Sequence, residues 1–302
     1  MLSTEPFEVP AAQITAALKS EPKRTAVAGA ESELALVSAR NAQETGLIVP
    51  VLVGEGAAIR ALAKRIAWDI SGIEIVETDD ERETAVKAVA MARAGEVDLL
   101  MKGGVHTEAL MRAAVNREQG LRTDRLMSHV FQMTFPGSER ALYITDAALN
   151  VAPHVEQRLG ITKNAVELLN KAGMARPRVA ILSAVETRNH SVPSSLDAAH
   201  IAELAQEGAI ENAIVEGPLS FDLAVSPEAA AVKGLESEVA GRADLVVVPN
   251  IETGNTLFKA LVYFRSATAA GLVLGAKVPI ILTSRADPPE ARLAAVAFAM
   301  MA

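Results

Sequence analysis

The residues best suited to chemistry lie near the end of the 302-residue chain. There Thr283-Ser284-Arg285-Ala286-Asp287-Pro288-Pro289-Glu290 gathers hydroxyls, a guanidinium and two carboxylates into one junction. An arginine offers a planar fork that matches phosphate oxygens, and a carboxylate beside a thiol or hydroxyl can take its proton. The same residues also suit a helix cap with Arg285 in a surface ion pair. Earlier, Lys102-Gly103-Gly104-Val105-His106-Thr107 sets a cation beside two glycines, which let a ligand approach the backbone closely. By itself this piece reads more simply as a tight strand-to-helix turn. In Pro249-Asn250-Ile251-Glu252-Thr253-Gly254-Asn255 the polar side chains can cap a helix, and the exposed N–H groups can equally hold an anion. The stretch Gly120–His129 adds Arg122, Arg125, Ser128 and His129. A single histidine is first a packing residue and only then a catalyst.

Such residues need elements that bring them to one edge. In parallel α/β sheets, ligands bind beyond the carboxyl ends of the strands, where helix N-termini present unpaired N–H groups. Short Val/Ile/Leu-rich runs alternate here with longer Ala-rich amphipathic segments, which predicts an α/β fold with mostly parallel sheets. Strands are expected at 25–28, 49–53, 73–76, 98–101, 141–145, 178–182, 213–215, 244–248 and 278–283. Helices are expected at 30–45, 56–67, 79–94, 154–172, 195–206, 253–267 and 289–301. The loops singled out above each follow one of these strands, as do the polar loops Ser183–His190 and Gly217–Asp222. The turn-forming cluster Phe135-Pro136-Gly137-Ser138 suggests a joint between two α/β lobes.

Composition removes several classes. With no cysteine there is no disulfide framework, thiolate metal site or cysteine nucleophile. A net charge of −8 and only 3% aromatic residues argue against a nucleic-acid binder, which needs a basic stripe and stacking rings. No apolar run approaches the roughly 18 residues of a membrane span, and Glu5, Pro6, Glu8 and Pro10 do not suit a signal peptide. A cytoplasmic location is expected. GxxxxGK[ST], HExxH, GxSxG and a strand-bound GxGxxG are all missing. The residues alone thus lead to an α/β enzyme that binds an anionic, phosphorylated ligand between lobes.

The strings LLMKGGVHT (Leu99–Thr107), GLRT and LMSHV (within Gly120–Val130), ITDAALN (Ile144–Asn150), VEGPLSFDLA (Val215–Ala224), ADLVVVPNIETGN (Ala243–Asn255) and VPIILTSRAD (Val278–Asp287) resemble the phosphate acetyltransferase and phosphate butyryltransferase family. LMSHV, PNIETGN and LTSRAD look closer to the butyryltransferase branch. The resemblance implies reversible transfer of a short acyl group, butyryl favoured over acetyl, between coenzyme A and inorganic phosphate. It implies the two-domain α/β/α architecture of the isocitrate and isopropylmalate dehydrogenase type with an interdomain cleft. The first domain would comprise residues 1–137 plus 278–302, the second residues 138–277, the latter carrying much of a homodimer interface.

In that picture a carboxylate deprotonates the CoA thiol and the thiolate attacks the acyl phosphate directly, in a ternary complex. Ser284 and Arg285 match the family's Ser-Arg pair. The acetyltransferase branch has an aspartate seven positions beyond the serine, where this chain has Ala291, so the base is expected to be Glu290, with Asp287 as the other candidate. Lys102, Gly103, Arg122, Ser128, His129, Asn250, Gly254 and Asn255 are the expected CoA and phosphate contacts. Ala147 stands where the family has a cysteine. No metal and no tightly bound cofactor are expected; CoA is a substrate. The competing readings are an acetyl-specific enzyme, a metal- and NAD(P)-dependent dehydrogenase of the same fold, and a non-catalytic CoA- or acyl-phosphate-binding module. Asp146, Asp222 and Asp244 lie in separate segments, which disfavours the metal-dependent reading.

Overall fold

The computed structural model describes residues 2–283 and 287–302. The chain forms two compact units, Phe7–Arg125 with Ala270–Ala302, and Met1–Pro6 with Leu126–Ala269. The first unit opens with α1 (Ala11–Ala17), β1 (Lys23–Ala28), α2 (Glu33–Glu44), β2 (Ile48–Gly54), α3 (Gly56–Arg65), β3 (Glu74–Glu77), α4 (Glu81–Ala94), β4 (Leu99–Lys102) and α5 (Thr107–Ala114). The second contains β5 (Ser128–Thr134), β6 (Leu142–Thr145), α6 (Val155–Lys171), β7 (Arg178–Leu182), α7 (Pro193–Leu204), β8 (Ile214–Leu219), α8 (Phe221–Val225), α9 (Pro227–Val232), β9 (Leu245–Val247) and α10 (Ile251–Arg265). The chain then returns to the first unit with β10 (Thr268–Leu274), β11 (Ile280–Ile281) and α11 (Pro289–Ala299).

In the first unit the strand order is β3-β2-β1-β4-β11-β10, parallel except where β10 meets β11. In the second it is β5-β6-β9-β7-β8, parallel except where β5 meets β6. The expected α/β class with mostly parallel strands is what forms. Helix-covered parallel strands read as unbroken apolar runs rather than alternating ones. β4 (LLMK) and the 26–28 end of β1 are buried throughout for that reason. Local caps fix the helix ends: the Asp80 carboxylate accepts from the Glu83 N–H at 2.8 Å, and Gly95 (φ 77°) closes α4. Among the described residues no helix is long and apolar enough to cross a membrane.

The unit boundaries differ from those expected. Phe135-Pro136-Gly137-Ser138, read as the joint, closes the hairpin between β5 and β6, with the Ser138 N–H donating to Phe135 O at 3.0 Å and Met133 paired with Leu142. Antiparallel pairing carries β5 into the same unit as β6, so the chain changes units between Arg125 and Leu126, and again between Ala269 and Ala270.

Candidate active site

β4 and β11 run parallel as neighbours, Ile280 beside Leu100 and Ile281 beside Met101. Their carboxyl ends therefore leave the sheet at one edge, which brings Lys102-Gly103-Gly104 alongside the strand that leads into the 283–287 junction. β1 ends level with them, Ala28 beside Lys102. The Gly103 N–H donates to Ala28 O and the Gly104 N–H to Gly29 O, each at 2.8 Å. Gly29 holds φ 81°, and a Cβ there would lie 2.6 Å from the Val105 N, so only glycine lets the two loops stack. Lys102 is buried, its Nζ donating to Gly103 O at 3.3 Å.

Ser284 and Arg285, the strongest sequence-based candidates, lie outside the described residues. Their flanks are described. Thr283 is buried, Asp287 is half-buried, and α11 starts at Pro289 with Glu290 in its first turn. Ala291, at the position of the family's aspartate, is 2% exposed and faces the interior. Beside it Arg292 is also buried. Its Nη1 donates to Thr283 Oγ1 at 3.3 Å and its Nε to the Asp287 carbonyl at 3.4 Å. Burial pushes this guanidinium's pKa down, while the Asp287 charge pulls it up. Arg122 is exposed on the same unit, bridged to Ala276.

The remaining candidates belong to the second unit, around Asp146 at the carboxyl end of β6. The Asp146 side chain accepts from the backbone N–H groups of His129 (3.0 Å), Ala148 (3.0 Å) and Leu149 (2.9 Å), and from Asn150 Nδ2 (2.6 Å). α10 begins against this turn: the Ile251 N–H donates to Val151 O at 2.9 Å, and the Asn250 carboxamide caps the helix by accepting from the Thr253 N–H at 2.9 Å. Gly254 is required by contact, since a Cβ would stand 2.8 Å from Ala147 Cα. Asn255 is half-buried one residue further on.

Ser128 and His129 are interior. Ser128 Oγ accepts from Asn164 Nδ2 at 2.9 Å. The His129 ring is 0% exposed and meets Phe131 edge-on at 4.3 Å between centroids, and neither ring nitrogen has a hydrogen-bond partner among the described residues. Burial holds its pKa down at about 4, against the opposing pull of Asp146, so the ring is neutral at pH 7. Sequence reasoning missed Asp146 and Asn150 as the hub of this turn, although their D-x-x-x-N spacing was on view, and it missed Arg292. A lone cation in the apolar run Ala291–Ala299 was the available signal.

The chain matches the model of a family described as "Phosphate acetyl/butaryl transferase" over residues 78–300. It is 47% identical over 288 residues to a phosphate acetyltransferase of Rhizobium meliloti, covering 95% of this chain and 91% of that protein. It is 39% identical over 281 residues to a phosphate butyryltransferase of Clostridium acetobutylicum, covering 93% of each. Among solved structures it superposes on a branched-chain phosphotransacylase from Enterococcus faecalis V583 with a TM-score of 0.80 and 32% identity, covering 92% of this chain and 98% of that one.

Proposed function

The chain belongs to the phosphate acetyl/butyryl transferase family, and on that premise we propose that this phosphate acyltransferase moves a short acyl group, butyryl by preference, reversibly between coenzyme A and inorganic phosphate at the edge where β4 and β11 end. The supporting observation is the parallel pairing of those two strands, which sets the Lys102-Gly103-Gly104 loop beside the strand that enters the Ser284-Arg285 junction. A butyryl preference rests on the strings LMSHV, PNIETGN and LTSRAD.

In the proposed reaction a carboxylate, Glu290 or Asp287, takes the proton of the CoA thiol. The thiolate adds to the acyl phosphate carbonyl carbon, and the carbon–oxygen bond to phosphate then breaks, the oxygen keeping the electron pair. Arg285 and Lys102 hold the phosphate oxygens, and the Ser284 hydroxyl donates to the oxygen that gains charge. In reverse, phosphate attacks the thioester carbonyl and CoA leaves. With no cysteine in the chain, the reacting thiol is the substrate's own. Arg122, Gly103, Asn250, Gly254 and Asn255 serve as further CoA and phosphate contacts in this reading. The His129 N–H supports the Asp146 turn from inside, and the Ser128 hydroxyl is held by Asn164. Homodimer contact is assigned to the 126–269 unit, supported by Tyr263 and Phe264 standing 54% and 57% exposed on α10.

The test supplies acetyl-, propionyl-, butyryl- and isobutyryl-CoA with phosphate and follows thiol release, with and without chelator. Phosphate-dependent, chelator-resistant release fastest with butyryl-CoA supports the reading. Fastest release with acetyl-CoA moves the enzyme to the acetyl branch, and no release from any thioester overturns the proposal.

A further inference from the structure

Arg158 is a cation sunk into the second unit. It lies on the face of α6 that buries Ile161, Ala165 and Leu169, on a helix that packs against α7, and it is 1% exposed. Burial pushes its pKa down, while the charge of Asp197 on α7 pulls it up. An arginine stays protonated in either case, so a full positive charge sits in the interior. Asp197 does little to satisfy it: Oδ2 stands 3.8 Å from Nη1, beyond the roughly 3 Å of a hydrogen bond, and that side chain is 41% exposed. Among the described residues Nε and Nη2 have no hydrogen-bond partner. Leaving buried charged donors unmatched is costly, and an apolar side chain of similar volume would avoid that cost, so fold stability alone gives little reason for a guanidinium there.

The two unpartnered atoms belong together. Nε–H and one Nη2–H point in parallel from a single edge of the planar guanidinium, spaced for two oxygens of one phosphate, sulfate or carboxylate group. A water molecule or a halide offers that edge only one centre. We propose that the Nε/Nη2 edge of Arg158 is the seat of a small inorganic oxyanion, inorganic phosphate above all, held inside the second unit against α6. Neither atom is open to solvent, which favours a free ion over a phosphate group carried on a large molecule such as CoA. The ion enters when α6 and α7 part locally. Asp197, of like charge to the ion, opposes it from the Nη1 side and limits its affinity. The seat is separate from the acyl-transfer edge, since β4 and β11 belong to the other unit. An ion bound only by the folded chain stabilises that chain in proportion to the logarithm of its concentration.

The experiment measures uptake of labelled inorganic phosphate by equilibrium dialysis, and the thermal midpoint across a phosphate series at fixed ionic strength. It uses the full-length parent, Arg158→Met, Arg158→Lys, Asp197→Asn and Arg285→Ala. The parent is expected to take up one phosphate per chain more than Arg158→Met, and its midpoint to climb by roughly 5 °C more at about a hundredfold excess over the dissociation constant. Without phosphate, Arg158→Met melts no lower than the parent, because the unmatched charge is gone. Arg158→Lys, with a point charge in place of the fork, binds weakly, and Asp197→Asn fills at lower phosphate than the parent. Arg285→Ala keeps the Arg158-dependent ion. Sulfate reproduces the climb and chloride does not. Should Arg158→Met fail to fold, Arg158→Lys and Asp197→Asn carry the same comparison. Equal uptake and equal climb in the parent and the Arg158 variants overturn the proposal. So does a climb that vanishes in Arg285→Ala and persists in Arg158→Met, which would put the ion at the acyl-transfer site. An Arg158-dependent climb produced by CoA but by neither phosphate nor sulfate overturns the free ion in favour of a substrate group.

Discussion

At the scale of single residues the Ser-Arg junction and its carboxylates make separable claims. In the proposed reaction Ser284→Ala and Arg285→Ala each remove a group that meets charge developing on the carbonyl or departing phosphate oxygens of the acyl phosphate, and losing one such donor typically costs about 100- to 1,000-fold. Steady-state rates with butyryl-CoA and phosphate should show that loss with an unchanged far-UV spectrum. The base is decided by pH–rate profiles: in the variant of the true base, Glu290→Gln or Asp287→Asn, the requirement for a deprotonated group should vanish, and its persistence in both rules out both carboxylates. His129 makes a claim about stability instead. In the unfolded chain its imidazole titrates near the ordinary 6.5, whereas burial holds the folded group at about 4. Between those values the unfolded state binds more protons, so the folded state is fully favoured above 6.5 and loses ground as pH falls toward 4. The loss is on the order of 3 kcal/mol. Urea midpoints of the parent should fall across that window, and His129→Phe should flatten that part of the curve; an equal slope in both removes His129 as its source.

At the scale of elements, two changes at the start of α10 test how the Asp146 turn is held. Asn250→Ala removes the cap on the Thr253 N–H and should cost about 1 kcal/mol in denaturant unfolding. Gly254→Ala drives a methyl toward Ala147 Cα and should cost about 1–3 kcal/mol. Backbone at 2.8 Å cannot move aside as a flexible side chain would, so an unchanged midpoint would mean that α10 tolerates displacement from the turn. What the sequence revealed of these elements follows their chemistry. The parallel strands were legible because each is a short apolar run followed by an amphipathic helix; Arg178–Leu182 has the predicted bounds and Leu99–Lys102 is displaced by one residue. The two strands that escaped notice, β5 and β10, are those that pair antiparallel with a neighbour in each unit. β5 (SHVFQMT) mixes polar residues into a fully buried strand, and β10 (TAAGLVL) carries Ala269, Ala270 and Gly271, residues of low strand preference, in its first half. The strand-to-helix junctions were legible as loops that could hold an anion. Arg292 was not, because its partners at 283 and 287 are set by the loop between β11 and α11 and not by any spacing on the helix.

At the scale of the whole molecule a charge of −8 is compatible with anionic substrates, since CoA and phosphate require only local cations and backbone N–H groups at a few loops. Connectivity has a sharper consequence. The unit around β1–β4 is completed only by the chain's last thirty-odd residues: β11 pairs with β4, β10 with β11, and α11 packs on α1 and α2. A fragment of residues 7–125 leaves β4, a strand buried along its whole length, with an unpaired edge and leaves α1 and α2 without their partner. The other unit is continuous from 126 to 269 apart from the N-terminal residues, which reach it through the Ser3 N–H to Tyr263 O (3.0 Å) and Ser266 Oγ to Glu5 O (2.7 Å). These are few bonds near the surface, and losing them leaves the core of β5, β6, β9, β7 and β8 intact. Residues 126–269 expressed alone should therefore give a soluble protein with a single cooperative melt, whereas residues 7–125 should aggregate or remain unfolded. Fusing residues 270–302 to the 7–125 fragment through a flexible linker should restore cooperative unfolding. Failure of that fusion, beside a well-behaved 7–125 fragment, would show that β11 and α11 are accessories to the unit and not its missing half.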